Sequence, residues 1–259
     1  MHDLMSMTWV ELRKALRSKM PLWTSLGALF MPLGIAFLIF VSKNPEFFQK
    51  LGVVSAKANL VAYAATDWST YLGFSGQVIA AGEFFLLVLA ISWIFGREFV
   101  DGTLKDMLAV PVSRWNILLA KFILLLAWSV LISLVIFIAS LLMGFVLRLS
   151  GGSSSVILQG SQLVALTSCL VIGVVLPFAL FASVSRGYLL PIGLAVLAVM
   201  MANLIVVLGQ GEYFPWAVPM LYAQGKSALS SLSYWIVLLT CLAGIFCTYL
   251  WWMFADQNR

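Results

Sequence analysis

The segment GREFVDGTLKDMLAVPVSRWNILLAKF, residues 96–122, carries a concentration of charge between two long hydrophobic runs. Seven of the chain's 25 charged residues lie in it. Helices in bundles are usually joined by about 2–8 residues. A longer, strongly charged connection therefore indicates that the segment does more than join two helices. We call residues 96–121 the elbow and expect them to contact a second molecule.

Local signals predict two helices and a break inside the elbow. The hydroxyl of Thr103 is suited to cap a short helix over residues 104–109. That helix must end just before Pro111, because proline disfavours helical geometry in the residue that precedes it. Ser113 is then predicted to cap a second helix, which begins at Arg114 and continues into the next hydrophobic run.

The composition places the chain in a bilayer. Of 259 residues, 63% are hydrophobic and 10% charged, and the mean hydropathy is +1.05. An ordinary soluble domain is nearer half apolar and a quarter charged. The net charge of +5 is modest, and basic residues beside membrane spans set topology. We therefore expect an integral membrane protein with no nucleic-acid partner.

Six hydrophobic runs are each close to the length that a helix needs to cross the hydrocarbon core. Only helices satisfy their own backbone polar groups in lipid without closing a barrel. The predicted fold is all-α, with both termini in the cytoplasm and one transmembrane domain over residues 1–259. The predicted spans cover about residues 22–41, 71–95, 122–147, 161–184, 189–208 and 234–254.

The orientation follows from Lys and Arg. With the N-terminus inside, the inner segments hold ten of these residues and the outer segments five. Because basic residues are enriched on the cytoplasmic side, the elbow is predicted to be a cytoplasmic coupling loop. The last outer loop, residues 209–233, is rich in aromatic residues and proline; it is interpreted either as short broken helices in the outer interface or as an ordinary aromatic belt.

Residues 1–21 are predicted to form an amphipathic helix in the membrane interface. Their apolar residues recur at spacings of three and four, and basic residues occupy other faces. The alternative is that this segment is the charged flank of the first span. The residues expected to contact membrane lipid are Trp9, Arg13, Lys14 and Arg17.

No pattern in the chain predicts catalysis or metal binding. His2 is the single histidine, and HExxH and Cys/His clusters are absent from the sequence. The three cysteines lie within apolar runs and are interpreted as small apolar side chains. The sequence therefore predicts no catalytic residue and no metal site.

The elbow resembles the corresponding segment of ABC transporter permeases of the type-2 exporter class. That segment has an acidic residue, then Gly-Thr, then Pro-x-Ser-Arg, then Lys. The matching residues are Glu98, Gly102, Thr103, Pro111, Ser113, Arg114 and Lys121. The chain length is similar to that of the small permeases of bacitracin and lantibiotic export or self-immunity, which places the chain in the bacterial plasma membrane.

The resemblance implies a division of labour. A separate cytoplasmic ABC ATPase subunit would bind ATP and Mg, and this chain would carry no cofactor. A second permease chain, identical or a paralogue, would complete the transporter. The residues expected to couple to the ATPase are Glu98, Asp101, Gly102, Thr103, Pro111, Ser113 and Arg114. For Glu98 a second hypothesis is a local pair with Lys or Arg that holds the shape of the elbow.

Two polar residues within the spans are candidates for a cargo path, Glu83 and Asn203. A carboxyl group in the middle of span 2 should face the bundle interior or a wet cavity. The alternatives for Glu83 are a buried hydrogen bond to a neighbouring span, or a position nearer the outer surface.

The function expected is that of a permease subunit of an ATP-driven exporter, moving an amphipathic or hydrophobic cargo such as a peptide antibiotic, drug or lipid. The rival is an ATP-independent carrier or an intramembrane enzyme. The elbow and the scarcity of ionisable groups within the spans argue against the rival.

Overall fold

The structure, a computed structural model, describes residues 2–50, 52, 67–103, 107, 111–225 and 229–254. Over these residues the chain is helical, apart from turns and one isolated β-bridge between Asp67 and Ser150. Six helices are long and apolar enough to cross a membrane. The prediction of an all-α fold with six spans is therefore confirmed.

The helices follow one another with short connections. The N-terminal helix covers His2–Arg17 and is followed directly by span 1. The spans, numbered in chain order, are Met20–Lys43, Trp68–Val100, Arg114–Val146, Ser154–Ser185, Leu189–Val207 and Ser231–Phe254. Short helices cover Pro45–Lys50 and Val218–Ala223, and a 3₁₀ turn covers Gly211–Tyr213.

Spans 2, 3 and 4 are longer than the apolar runs that predict them, at 33, 33 and 32 residues. The extra length has a local cause at two of the starts. Ser113 Oγ accepts a hydrogen bond from the Asn116 N–H, and Ser153 Oγ accepts one from the Val156 N–H. These caps begin spans 3 and 4 in polar sequence, so Lys121 lies two turns inside span 3.

Two spans depart from regular α-helix. Span 2 contains a π-helical turn at Ile79–Glu83, the kind of bulge that is frequent at functional sites. Span 4 is interrupted between Val175 and Phe178. Pro177 explains this break, because proline has no N–H to donate and its ring obstructs the preceding turn.

Span 2 forms the centre of the bundle, and span 5 lies at its edge. In the most apolar part of span 2, 67% of the residues are buried inside the protein, against 17% for span 5. Span 3 packs against both span 1 and the N-terminal helix. The side chains of the elbow are therefore carried by the ends of spans 2 and 3, and span 2 is the most buried of the six spans.

Contacts show which helix ends lie together. Arg114, at the start of span 3, donates to the backbone oxygen of Trp252 near the end of span 6. At the opposite end, Lys43 Nζ donates to the backbone oxygen of Leu147. We call the end of the bundle that holds Arg114 and Trp252 the elbow end. Its assignment to the cytoplasm follows from the distribution of Lys and Arg alone.

The loop between spans 5 and 6 contains the short helical pieces that its sequence predicts, in the 3₁₀ turn and the helix Val218–Ala223. Trp216 folds back onto span 4, where its indole N–H donates to the backbone oxygen of Val174 at 3.0 Å. Its ring also contacts Phe178. Part of the aromatic content of this loop is therefore used in packing.

Candidate functional site: the elbow end of the bundle

The elbow consists of two helix ends and a connection. Span 2 continues to Val100, Gly102 has a left-handed backbone with φ of +69°, and span 3 begins at Arg114. The short helix predicted for residues 104–109 lies outside the described residues except at Met107. That residue is helical, and its N–H donates to the backbone oxygen of Thr103 at 3.1 Å.

Four charged side chains meet at the base of the elbow, and we call them the charge cluster: Glu11, Lys14, Glu98 and Lys121. Lys121 Nζ donates to Glu98 Oε1 at 2.8 Å and to Glu11 Oε2 at 3.4 Å. Lys14 Nζ donates to Glu11 Oε1 at 2.7 Å and to Glu98 Oε1 at 3.1 Å. The cluster joins the N-terminal helix to spans 2 and 3.

Three members of the charge cluster are buried, Lys14 is half-buried, and the cluster is internally balanced. Lys121 is fully buried and also donates to the backbone oxygen of Ile94 at 2.8 Å. Glu11 and Glu98 are also buried. Burial lowers the pKa of Lys14, but the carboxylates of Glu11 and Glu98 outweigh this and raise it above its ordinary value. Two carboxylates and two ammonium groups leave no net charge, which is how buried charges are tolerated.

Glu98 therefore takes the arrangement of the second hypothesis, a local pair that holds the elbow. Its side chain is covered by Lys14 and Lys121 rather than presented to a partner. The sequence motif places Glu98 and Lys121 in the same segment, but it does not show that they pair. Neither does it show that Glu11 and Lys14 complete the cluster.

Arg114 is exposed, but it also contacts the protein. Its Nη1 donates to the backbone oxygens of Trp252 and Met253 at 3.3 and 3.4 Å. A cation at the last turn of a helix satisfies free carbonyl groups and interacts favourably with the helix dipole. The neighbouring Trp115 meets Tyr249 edge-on, with ring centroids 5.0 Å apart. The start of span 3 is thus fixed to the end of span 6.

Beside Arg114, the other predicted coupling residues form an outward surface. All five are exposed: Asp101, Gly102, Thr103, Pro111 and Ser113. Asp101 accepts a hydrogen bond from Arg97 Nε at 3.1 Å. An exposed pair of this kind contributes little to stability. This set, which we call the outer elbow, is the part of the predicted site that another protein could reach.

The N-terminal helix has two distinct faces. Met7, Glu11 and Ala15 are buried against the rest of the chain, and the helix packs mainly on span 3. In the predicted apolar stripe, Trp9 and Leu16 are exposed on another face, whereas Leu12 packs partly against the core. The exposed part of that stripe is thus left for lipid or for another molecule.

The four residues predicted to contact lipid divide between these surroundings. Arg13 and Arg17 are exposed, and the Arg13 guanidinium lies over the ring of Trp9 at 5.0 Å from its centroid. Lys14 instead turns toward Glu11 and Glu98. Whether Trp9, Arg13 and Arg17 contact the membrane stays a prediction.

Glu83 faces the bundle interior, as its place in span 2 predicts. It lies at the last position of the π-helical turn and is fully buried. Its Oε1 accepts a hydrogen bond from Ser133 of span 3, and its Oε2 accepts one from Ser168 of span 4 at 2.8 Å. In the sequence, both serines appear only as small residues suited to helix packing. The signal that could have found them is that a buried carboxyl group needs hydrogen-bond donors.

An apolar groove of about 270 Å³ lies beside this group, between spans 3 and 4. Ser133 and Ser168, the two donors to Glu83, are part of its wall. Asn203, the other predicted path residue, lies elsewhere: it is exposed on span 5, and its amide donates to the Val199 backbone oxygen of the same helix at 2.8 Å. The hydrogen-bond partners of Glu83 thus lie on spans 3 and 4, whereas the partner of Asn203 lies on span 5.

Six helices that are long and apolar enough to cross a membrane define a multi-pass membrane protein. The chain belongs to the ABC-2 family of transporter proteins, whose family model matches residues 7–203. This membership confirms the resemblance seen in the elbow. The chain is accordingly a multi-pass protein of the bacterial plasma membrane.

Two curated relatives match part of the chain. The chain is 27% identical over 134 residues to the bacitracin transport permease protein BCRB of Bacillus licheniformis, covering 52% of this chain and 64% of that protein. It is 33% identical over 90 residues to the uncharacterized protein YhcI of Bacillus subtilis (strain 168), covering 35% of this chain and 28% of that protein. Both matches cover less than two thirds of the relative's length. No solved structure matches the chain.

Proposed function

We propose that the chain is the membrane-spanning permease subunit of an ATP-driven exporter, and that its cargo is amphipathic or hydrophobic. Membership in the ABC-2 family and similarity to a bacitracin transport permease support this proposal. The observation that carries it is the outer elbow, exposed at the junction of spans 2 and 3. ATP and Mg would be bound by a separate cytoplasmic ATPase subunit.

The packing of the elbow supports a mechanical role. The charge cluster fixes the end of span 2 and the second turn of span 3 to the N-terminal helix. Arg114 fixes the start of span 3 to the end of span 6. A force applied to the outer elbow would therefore reach three spans and the N-terminal helix, rather than bend a loose loop.

Span 5 supports the presence of a second permease chain. Much of its surface is exposed, and this surface includes the polar side chain of Asn203. Polar residues within membrane helices usually face protein rather than lipid. A cysteine at Asn203 is expected to crosslink to its copy in a homodimer, whereas a cysteine at the exposed Phe30 of span 1 is the control.

The groove beside Glu83 is the proposed cargo-contacting region. Its wall is almost wholly apolar, which suits an acyl chain or an apolar peptide face. The two serines that line it hold a carboxyl group directly behind the wall. A cationic amphiphile would place its apolar part in the groove and its charge toward Glu83.

Co-purification from bacterial membranes in a mild detergent tests the proposal. An ATPase should co-purify with the wild-type chain. The exposed Asp101→Lys change in the outer elbow should reduce its recovery. The matched control is Glu212→Lys, which makes the same charge reversal in the loop between spans 5 and 6. Transport by a chain that purifies without ATPase would instead support an ATP-independent carrier.

A further inference from the structure

A basic pocket of about 360 Å³ lies where the N-terminal helix meets the end of span 2. Two elements far apart in sequence supply its cations, so the pocket exists only in the folded chain. Its position is next to the charge cluster, since Lys14 belongs to both. The residues that line it are Val10, Arg13, Lys14, Arg17, Ser18 and Arg97.

Several donors in this pocket are not used by the protein. Lys14 is occupied by two carboxylates, and Arg97 Nε donates to Asp101. Arg97 Nη1, however, is buried and has no hydrogen-bond partner in the part of the chain that the structure describes. Within that same part, the ion pairs include neither Arg13 nor Arg17. Three guanidinium groups thus retain donors for an anion.

The chemistry of these donors indicates a phosphate group. Guanidinium groups bind phosphate oxygens through paired N–H donors and lose less hydration than ammonium groups do. The pocket holds three arginines, of which Arg97 is paired through Nε with Asp101, and one lysine that is already paired. It therefore suits a phosphodiester better than a single carboxylate, which one arginine would satisfy.

The surroundings indicate that the phosphate belongs to a lipid. The pocket ends at Ser18, two residues before span 1 begins at Met20. Trp9 on the N-terminal helix and Trp23 in the first turn of span 1 are both exposed, and tryptophan is enriched at the headgroup level of membranes. Val10 gives the pocket an apolar rim, which a free phosphate ion would not use.

We propose that this pocket is a binding site for the phosphate group of an anionic phospholipid. The lipid would bridge Arg17 of the N-terminal helix and Arg97 of span 2, beside the Lys14–Glu98 ion pair. This goes beyond general attraction of a basic helix to a membrane, because it requires a cation from span 2. The site does not depend on the proposed export function.

Native mass spectrometry of the purified chain, released from micelles with equal amounts of phosphatidylglycerol and phosphatidylcholine, tests the site. The wild-type chain should retain phosphatidylglycerol preferentially. Arg97→Gln should weaken retention about fivefold, and Arg17→Gln with Arg97→Gln about 25-fold, from the usual net contribution of one lost hydrogen bond per arginine. The double variant with Arg13→Gln and Arg17→Gln replaces only exposed side chains. A loss of phosphatidylglycerol retention in it therefore reports on the site and not on disturbed packing.

Lys19→Gln is the matched control, because it removes an exposed cation two residues after Arg17, at the start of span 1, that does not line the pocket. Its retention of phosphatidylglycerol should stay within about twofold of wild type, because Lys19 donates no hydrogen bond to a phosphate held in the pocket. An equal loss in Lys19→Gln and Arg97→Gln would overturn the proposal, as would a wild-type chain without preference for phosphatidylglycerol. Displacement of the lipid by excess inorganic phosphate would assign the pocket to the free ion instead.

Discussion

Span 2 buries two carboxylates, and they are held in different ways. Glu98, near the elbow end, lies between the ammonium groups of Lys14 and Lys121. Glu83, in the π-helical turn, accepts hydrogen bonds from the neutral hydroxyls of Ser133 and Ser168. One helix thus carries an ion-pair site at its end and a hydrogen-bonded carboxyl group in its middle.

The difference reflects what each depth of a membrane protein permits. Near the interface, lysine is available because its charge can be inserted at low cost, so a compensated cluster can form. At mid-depth, hydroxyl groups satisfy a carboxyl group without adding a further charge. The first arrangement suits a fixed joint. The second leaves the carboxyl group able to respond to a cationic ligand, since no protein cation occupies it among the described residues.

The largest effect is expected from Lys121→Met. Methionine keeps much of the side-chain length, but it leaves Glu11 and Glu98 buried with only Lys14 to compensate them. Removing one partner of a buried ion pair usually costs about 3–5 kcal/mol. The free energy of unfolding of the purified protein in detergent should fall by this amount. Asp101→Asn, which breaks an exposed pair, should lower it by about 0–1 kcal/mol.

Adding Glu98→Gln to Lys121→Met sharpens the same comparison. The double variant removes one positive and one negative charge, so the remaining cluster of Glu11 and Lys14 is balanced again. It should be more stable than Lys121→Met alone. A double variant that is less stable than either single variant would contradict the account of the cluster as a charge-balanced joint.

A smaller effect is expected from Arg114→Leu. The change removes two long hydrogen bonds to the last turn of span 6, at a site where a cation is usually worth about 1 kcal/mol. Arg114→Lys keeps the charge and should retain part of this stability. Thermal unfolding of both variants measures it. If Arg114→Leu unfolds like wild type and yet loses ATPase coupling, Arg114 contacts the partner rather than span 6.

A small effect on stability, in the same range as that of Asp101→Asn, is expected from Glu83→Gln. The glutamine amide can both accept from one serine and donate to the other, so the free energy of unfolding should change by less than about 1 kcal/mol. Transport and cargo-stimulated ATP hydrolysis should fall if the cargo is cationic. Serine-to-alanine changes at Ser133 and Ser168 are the companion variants. Unchanged transport and unchanged ATP hydrolysis in Glu83→Gln would remove the charge-based role of Glu83.

Much of the fold could be predicted from local sequence. Hydropathy predicts the six spans, the Ser113 cap predicts the start of span 3, and Pro177 accounts for the break in span 4. The charge cluster could not be predicted, because Glu11 and Lys121 are 110 residues apart and composition does not reveal which charges pair. Lys121 was nonetheless detectable as a charge in apolar sequence that needs a partner.

The candidate site was predicted as a list of residues but not as a geometry. The motif places Glu98 and Asp101 in one segment, yet the helical turn between them sends one side chain into the protein and leaves the other exposed. Which side a residue faces depends on the packing of the N-terminal helix and span 3. The helical segments within the elbow are too short for their sequence periodicity to show which side each residue faces.

Site-directed crosslinking from the outer elbow tests the central claim most directly. With Cys169, Cys241 and Cys247 replaced, single cysteines at Asp101, Thr103 and Pro111 provide three exposed positions. All three should crosslink to a co-purifying ATPase. A cysteine at Ser155, exposed at the opposite end of the bundle, should not. Absence of crosslinks from all three elbow positions, or equal crosslinking from Ser155, would contradict the assignment of the elbow as the ATPase contact.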